Sequence, residues 1–170
     1  MNLMHDQDLE QAKFDFLWPL AYPKESKDKN ITKMMRQLVK DDVIQFGQML
    51  EKAISVQCGL IRESGVGRDF TNGADAKLTS VRTCSRGRGY SAPVTSIKNK
   101  KGRLLIACYE RKKKAWYFFS IPYHAYRDIP KSSNIDISFS LDGTPRRTPG
   151  RKTVKVNWWR YERKSIKDLL

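Results

Sequence analysis

The chain has little of what would mark a membrane, secreted or zinc-binding protein. None of its apolar runs reaches the ~20 residues a membrane-spanning helix needs. The opening MNLMHDQDLEQAKFDFLWPL carries acids where an export signal needs an unbroken apolar segment. A soluble protein of the cytoplasm, with no membrane partner, is therefore expected. Only three cysteines are present, Cys58, Cys84 and Cys108, an odd number without a Cys-x-x-Cys pair. That argues against a disulfide framework and gives no zinc-ligand spacing. Histidine is scarcer still, at two, and His124 is assigned no catalytic role. Acids are scarce in one part only. Residues 76–170 hold 6 Asp+Glu against 23 Lys+Arg, whereas residues 1–75 hold 12 against 10.

What is present fits one folded domain over residues 1–170. At 11% aromatic residues the chain can build a packed core despite being 30% charged. The net charge of +15 lies entirely in the second part, and a one-sided field of that size attracts polyanions, nucleic acid first among them. A solubilising face is the plainer account of the same charges.

The apolar spacing predicts a helix over residues 6–17 that stops near Pro19, then the polar connector KESKDKN. Helical spacing resumes at Ile31 and runs through Val43, Ile44, Gly47, Leu50 and Ile54, with Asp41 and Asp42 suited to start a separate helix. From Asp69 the pattern changes to strands: DAKLTSVRT, VTSIKN, GRLLIACYE, AWYFFSIP and NIDISFSL. Reversals are expected at Asn72-Gly73, between Asn99 and Gly102, and at Asp142-Gly143. A basic, Pro/Gly-punctuated loop and a short helix close the chain. The expectation is an α/β (α+β) domain with a mostly helical part (1–62), a strand-rich part (63–141) and a basic C-terminal loop and tail (142–170).

Within the strand-rich part, GRDFTNGADAKLTSVRT places Asp69, Asp75 and Lys77 around one Asn-Gly turn. Residues i and i+2 of a strand share a face, so Asp75 and Lys77 project together and Ala76 projects oppositely. The turn folds Asp69 back toward Asp75. Two carboxylates that close repel each other unless a cation lies between them, and a hard divalent ion with oxygen ligands resolves the conflict. The other account of both acids is turn chemistry, since Asp is common beside Asn-Gly.

An Asp before a hairpin followed by acid-x-Lys resembles the PD-(D/E)XK nuclease superfamily, and RDFTNGADAKLTSV is similar to its MutH-like DNA endonuclease branch. GQMLE, Gly47 to Glu51, is similar to a Gly-Gln-hydrophobic-Leu-Glu run on a helix of that branch. Position 68 is Arg where the branch has Pro, and position 75 is Asp where it has Glu. The resemblance implies a restriction-endonuclease-like mixed β-sheet flanked by N-terminal helices. It also implies that Mg²⁺, with Mn²⁺ as a substitute, is held by Asp69, Asp75 and the Ala76 carbonyl, with Lys77 beside the attacking water. Glu51 would orient Lys77 or help position a second ion. The implied activity is hydrolysis of duplex DNA to 5′-phosphate and 3′-hydroxyl ends, by the chain alone, as a homodimer or with a recruiting partner, in association with the nucleoid. A second acid-x-Lys, Glu110 and Lys112 in YERK, offers a rival register that would pair with Asp75; it is disfavoured because 35 residues is long for one hairpin.

Three basic segments are candidate DNA contacts: Arg82, Arg86 and Arg88 among glycines, Arg111, Lys112 and Lys113 in RKKK, and Arg146, Arg147, Arg151 and Lys152 in TPRRTPGRK. Trp158, Trp159 and the aromatic run after RKKK read as core. The alternatives to a nuclease are a non-cleaving basic DNA-binding regulator and, third, an RNA-binding protein.

Overall fold

Helix α1 spans Asp6–Ala21 and is packed over its C-terminal half, with Phe14, Leu17, Trp18 and Ala21 all buried. In the computed structural model, which describes residues 6–63, 69–81, 83–84, 89–97, 100–129, 134–147 and 156–170, the helix runs past Pro19 instead of stopping there. Proline removes one ladder hydrogen bond. The buried Leu17, Trp18 and Ala21 outweigh that loss, and Tyr22 N–H still reaches the Trp18 carbonyl at 2.9 Å.

Helix α2, Lys29–Lys40, starts where Asp28 accepts hydrogen bonds from the amides of Asn30 (2.8 Å) and Ile31 (3.1 Å), an N-cap of the ordinary kind. Asp41 and Asp42, expected to begin the next helix, instead terminate α2: their amides bond back to Gln37 and Val39, and Asp42 takes a positive φ of 57°. The separate helix does exist, but α3 begins at Phe46 and ends at Cys58, where Gly59 adopts φ 72°. Its buried stripe is Met49, Leu50, Ala53 and Ile54.

Among the described residues seven strands follow. They are β1 Asp75–Ser80, β2 Thr83–Cys84, β3 Tyr90–Val94, β4 Leu104–Glu110, β5 Ala115–Ile121, β6 Ile135–Phe139 and β7 Glu162–Arg163, with a one-turn helix α4, Tyr123–Tyr126, after β5. One sheet has the order β1-β4-β5-β7, parallel between β1 and β4 and antiparallel elsewhere; the other has the order β2-β3-β6. The strand expected over VTSIKN lies earlier, at Tyr90–Val94, because Ala92 and Val94 are the residues that pair with β6 and enter the core. The closing helix is replaced by short 3-10 turns, Trp158–Tyr161 and Ile166–Asp168, on either side of β7.

The chain is therefore α+β, with N-terminal helices beside a mixed sheet. Every residue of β4 is buried, which marks it as covered on both faces. Leu105 and Ala107 pack with Leu17, Leu50 and Ile54 of the helices. Leu104, Ile106 and Cys108 join Val94, Ile137, Phe139 and Trp158 on the other face. Among the described residues no helix is long and apolar enough to cross a membrane.

Candidate active site

The sheet alternation fixes where the motif residues go. Ala76 and Leu78 pack with the helix-side core, so Asp75 and Lys77 emerge on the opposite face. That face of β1 is lined by main-chain carbonyls: Thr79 Oγ1 donates to Pro93 O at 2.6 Å and Lys77 Nζ donates to Ser96 O at 3.2 Å. β1 is an edge strand of its sheet; Asp75 at its start is buried, and the turn residues Thr71 and Asn72 just before it are exposed.

The turn behaves as its sequence predicts. Gly73 takes φ 88°, its amide bonds Phe70 O, and Asn72 Oδ1 accepts the Ala74 amide at 2.9 Å. The amides of Asp69 and Phe70 both reach Ala74 O at 3.2 Å, closing the loop. Asp69 Oδ2 then accepts the Ala76 amide at 2.7 Å, which holds its carboxylate against the first residues of β1.

Asp75 is the centre of the cluster, with only 2% of its surface exposed. Its Oδ2 lies 3.2 Å from Lys77 Nζ and its Oδ1 lies 2.8 Å from Lys100 Nζ. The Oδ1 atom is buried and makes no hydrogen bond of good geometry; the Lys100 ammonium meets it as an ion pair. Asp69 lies near enough to Asp75, and Glu51 of α3 near enough to Asp69, for each carboxylate to act on its neighbour's ionisation. Burial raises the pKa of Glu51 from its ordinary 4.5, the charge of Asp69 raises it further, and Arg62, 3.9 Å away, opposes both. Burial likewise raises the pKa of Asp69; the Ala76 amide opposes this and Asp75 adds to it. Nearby, burial and then the Asp75 charge push the Tyr126 phenol up to about 12.

Glu51, Asp69, Asp75 and Lys77 are thus brought together. Glu51, expected to orient Lys77 or help position a second ion, faces Arg62 at 3.9 Å and lies near Asp69, while Lys77 is anchored by Ser96. Lys100 was not anticipated. It reaches the site because Gly102 packs directly on the Asn72-Gly73 turn, where a Cβ would stand 1.9 Å from Gly73 O, and because the Asp75 amide bonds Arg103 O at 2.9 Å. In sequence it is one lysine of a basic run, 25 positions from Asp75, with nothing to distinguish it. Tyr126 belongs to the same support, its hydroxyl donating to Gly102 O.

The rival pair is elsewhere. Leu104 is the β4 partner of Asp75, and Glu110 lies six residues further on, roughly 20 Å away at ~3.3 Å per residue. Its buried carboxylate caps the β4–β5 turn, accepting the amides of Lys112 (2.9 Å) and Lys113 (2.7 Å). Lys112 donates to Leu141 O and lies over the Tyr90 ring. Of the basic candidates, Lys113 and Arg146 are exposed, Arg111 is half-buried, and Arg147 is held in a two-point pair with Glu162 at 2.9 and 3.0 Å. Arg82, Arg86, Arg88, Arg151 and Lys152 lie outside the described residues.

In chemistry, the donors fit a hard divalent cation: carboxylate oxygens from Asp69 and Asp75, one of them buried without a hydrogen bond, beside a third acid. Among the described residues no three His, Cys, Asp or Glu side chains are arranged to hold one ion. Two carboxylates are the usual protein share for Mg²⁺, which keeps several waters and takes substrate phosphate oxygens. No protein-family model, curated protein or solved structure matches this chain.

Proposed function

We propose that the protein is a divalent-metal-dependent endonuclease that hydrolyses phosphodiester bonds in duplex DNA. The observation that carries it is the meeting of Glu51, Asp69 and Asp75 with the Lys77 ammonium at the start of an edge strand, beside the exposed Thr71-Asn72 turn. Asp69 and Asp75, with the Ala76 carbonyl, would hold Mg²⁺ or Mn²⁺. When bound, the ion lowers the pKa of water and offsets charge on a phosphoryl oxygen. Lys77, fixed between Asp75 and Ser96, presents a preorganised ammonium where hydroxide and transition-state charge develop. Glu51 would add a third carboxylate beside Asp69, to help position a second ion. The basic residues 76–170 supply the field that draws the phosphate backbone, giving a DNA-associated protein in the cytoplasm or nucleoid that acts as monomer or homodimer.

A non-cleaving DNA-binding regulator is the second reading, favoured by one observation: Lys77 and Lys100 already offset the Asp75 charge, as in a structural ion cluster. Incubation of supercoiled plasmid with Mg²⁺ separates the two. Nicked or linear product that is lost with EDTA and in Asp75→Ala supports the nuclease; plasmid that is retarded on a gel yet intact supports the regulator.

A further inference from the structure

Two ammonium groups on one buried carboxylate are more than charge pairing requires, and they stand on different elements and face different oxygens. Lys77 has a second anchor in the Ser96 carbonyl and projects from the middle of a strand. Lys100 stands on a loop between β3 and β4, outside any strand, and its side chain retains 19% exposure. It faces Asp75 Oδ1, the buried oxygen without a hydrogen bond. A divalent ion bound through that oxygen would need the space in which the Lys100 ammonium lies. At such short range two cations in a partly buried site repel strongly.

We propose that Lys100 is a built-in competitor for the metal ion, its ammonium occupying the Asp75 oxygen in the ion-free protein and leaving when a divalent cation binds. The inference rests on the two-carboxylate site of the nuclease assignment and deepens it. In the ion-free state Lys100 offsets the mutual repulsion of Glu51, Asp69 and Asp75, which would otherwise destabilise the turn. On ion binding the side chain is released toward solvent at the same edge, where an ammonium can meet a DNA phosphate. Lys77, tied to Ser96, keeps its place. Ion binding thereby becomes weaker in the free protein and stronger when a polyanion is present to receive the displaced lysine.

The test measures Mn²⁺ binding without DNA, by the electron paramagnetic resonance signal of free Mn²⁺, for wild type, Lys100→Met and Asp75→Asn. Removing the competing charge should tighten binding by about ten-fold or more in Lys100→Met, while Asp75→Asn loses it. Equal or weaker binding by Lys100→Met beside measurable wild-type binding overturns the competition and leaves the two-carboxylate site standing. Failure of both wild type and Lys100→Met to bind Mn²⁺ overturns the competition and the metal site together. Tight, competed binding with no plasmid cleavage supports the competition and removes the nuclease. Because Lys100→Met can fail to fold, lysine acetylation of the wild-type protein is read by mass spectrometry with and without saturating Mn²⁺. Modification of Lys100 should rise several-fold with the ion while that of Lys77 does not. An unchanged Lys100 rate overturns the proposal.

Discussion

Asp69 and Ala76 are joined by a 2.7 Å hydrogen bond from the Ala76 amide to the Asp69 carboxylate, across a turn of seven positions. The bond places one acid beside the next and also satisfies a main-chain donor at the start of an edge strand. Asp69→Ala should therefore lose both stability and cleavage, the stability by about 1–2 kcal/mol for the unsatisfied amide. Asp69→Asn keeps an acceptor and removes a like charge, so it should melt at or above the wild-type temperature yet cleave no plasmid. Equal melting of the Ala variant and wild type would show that the bond contributes little.

The raised pKa values of Glu51 and Asp69 set a pH dependence with a definite sign. An acid whose folded pKa exceeds its unfolded value binds its proton more tightly in the folded state. The folded protein is favoured by this pair at low pH and loses that advantage as pH rises from the ordinary values, 4.5 and 3.8, through the folded ones. In metal-free buffer, the melting temperature of Glu51→Gln should gain on wild type as pH is raised from acid to neutral. Parallel curves for the two proteins would remove the acid cluster as the cause.

Gly102→Ala should be among the most damaging single-methyl changes outside the acids. The added Cβ would stand 1.9 Å from Gly73 O, main chain against main chain, so one of the two turns must move. A cost of about 1–3 kcal/mol is expected in chemical denaturation, with weaker Mn²⁺ binding because the placement of Asp75, whose amide bonds Arg103 O, depends on that contact. Gly47→Ala, where a Cβ meets nothing within 4 Å on α3, is the matched control and should be neutral or stabilising.

How legible these features were depended on their range in sequence. The Asp69–Asp75 turn is written locally, since Asn72-Gly73 supplies the positive φ and strand alternation puts Asp75 and Lys77 on one face. The convergence of those three groups could be read without knowing the rest of the chain. Lys100 could not, because its place depends on a close approach of two glycines 29 positions apart, Gly73 and Gly102. Pro19 and the shifted β3 were misjudged for a related reason: burial of Leu17, Trp18 and Ala21, and pairing of Ala92 and Val94 with β6, outweigh local preference. The surroundings of Glu51 depended likewise on which neighbours α3 brought it, and those are Arg62 and Asp69.

Glu110 supplies the sharpest contrast to Asp75. Both Glu110 and Asp75 are buried acids followed two residues later by lysine, yet Glu110 spends its two oxygens on the amides of Lys112 and Lys113. The absence of a side chain at Gly143 leaves room for it, since a Cβ there would come within 2.6 Å of Glu110 Oε2. Glu110→Ala uncaps a turn and should cost about 1–3 kcal/mol for the buried donors left unpaired. Asp75→Asn, by contrast, should abolish Mg²⁺-dependent cleavage even where the protein stays folded. Plasmid assays below the melting temperature of each variant, normalised to folded protein, should give near wild-type rates for Glu110→Ala and none for Asp75→Asn. The reverse pattern would move the chemistry to the far end of β4, beside Lys112, and dissolve the site at the start of β1.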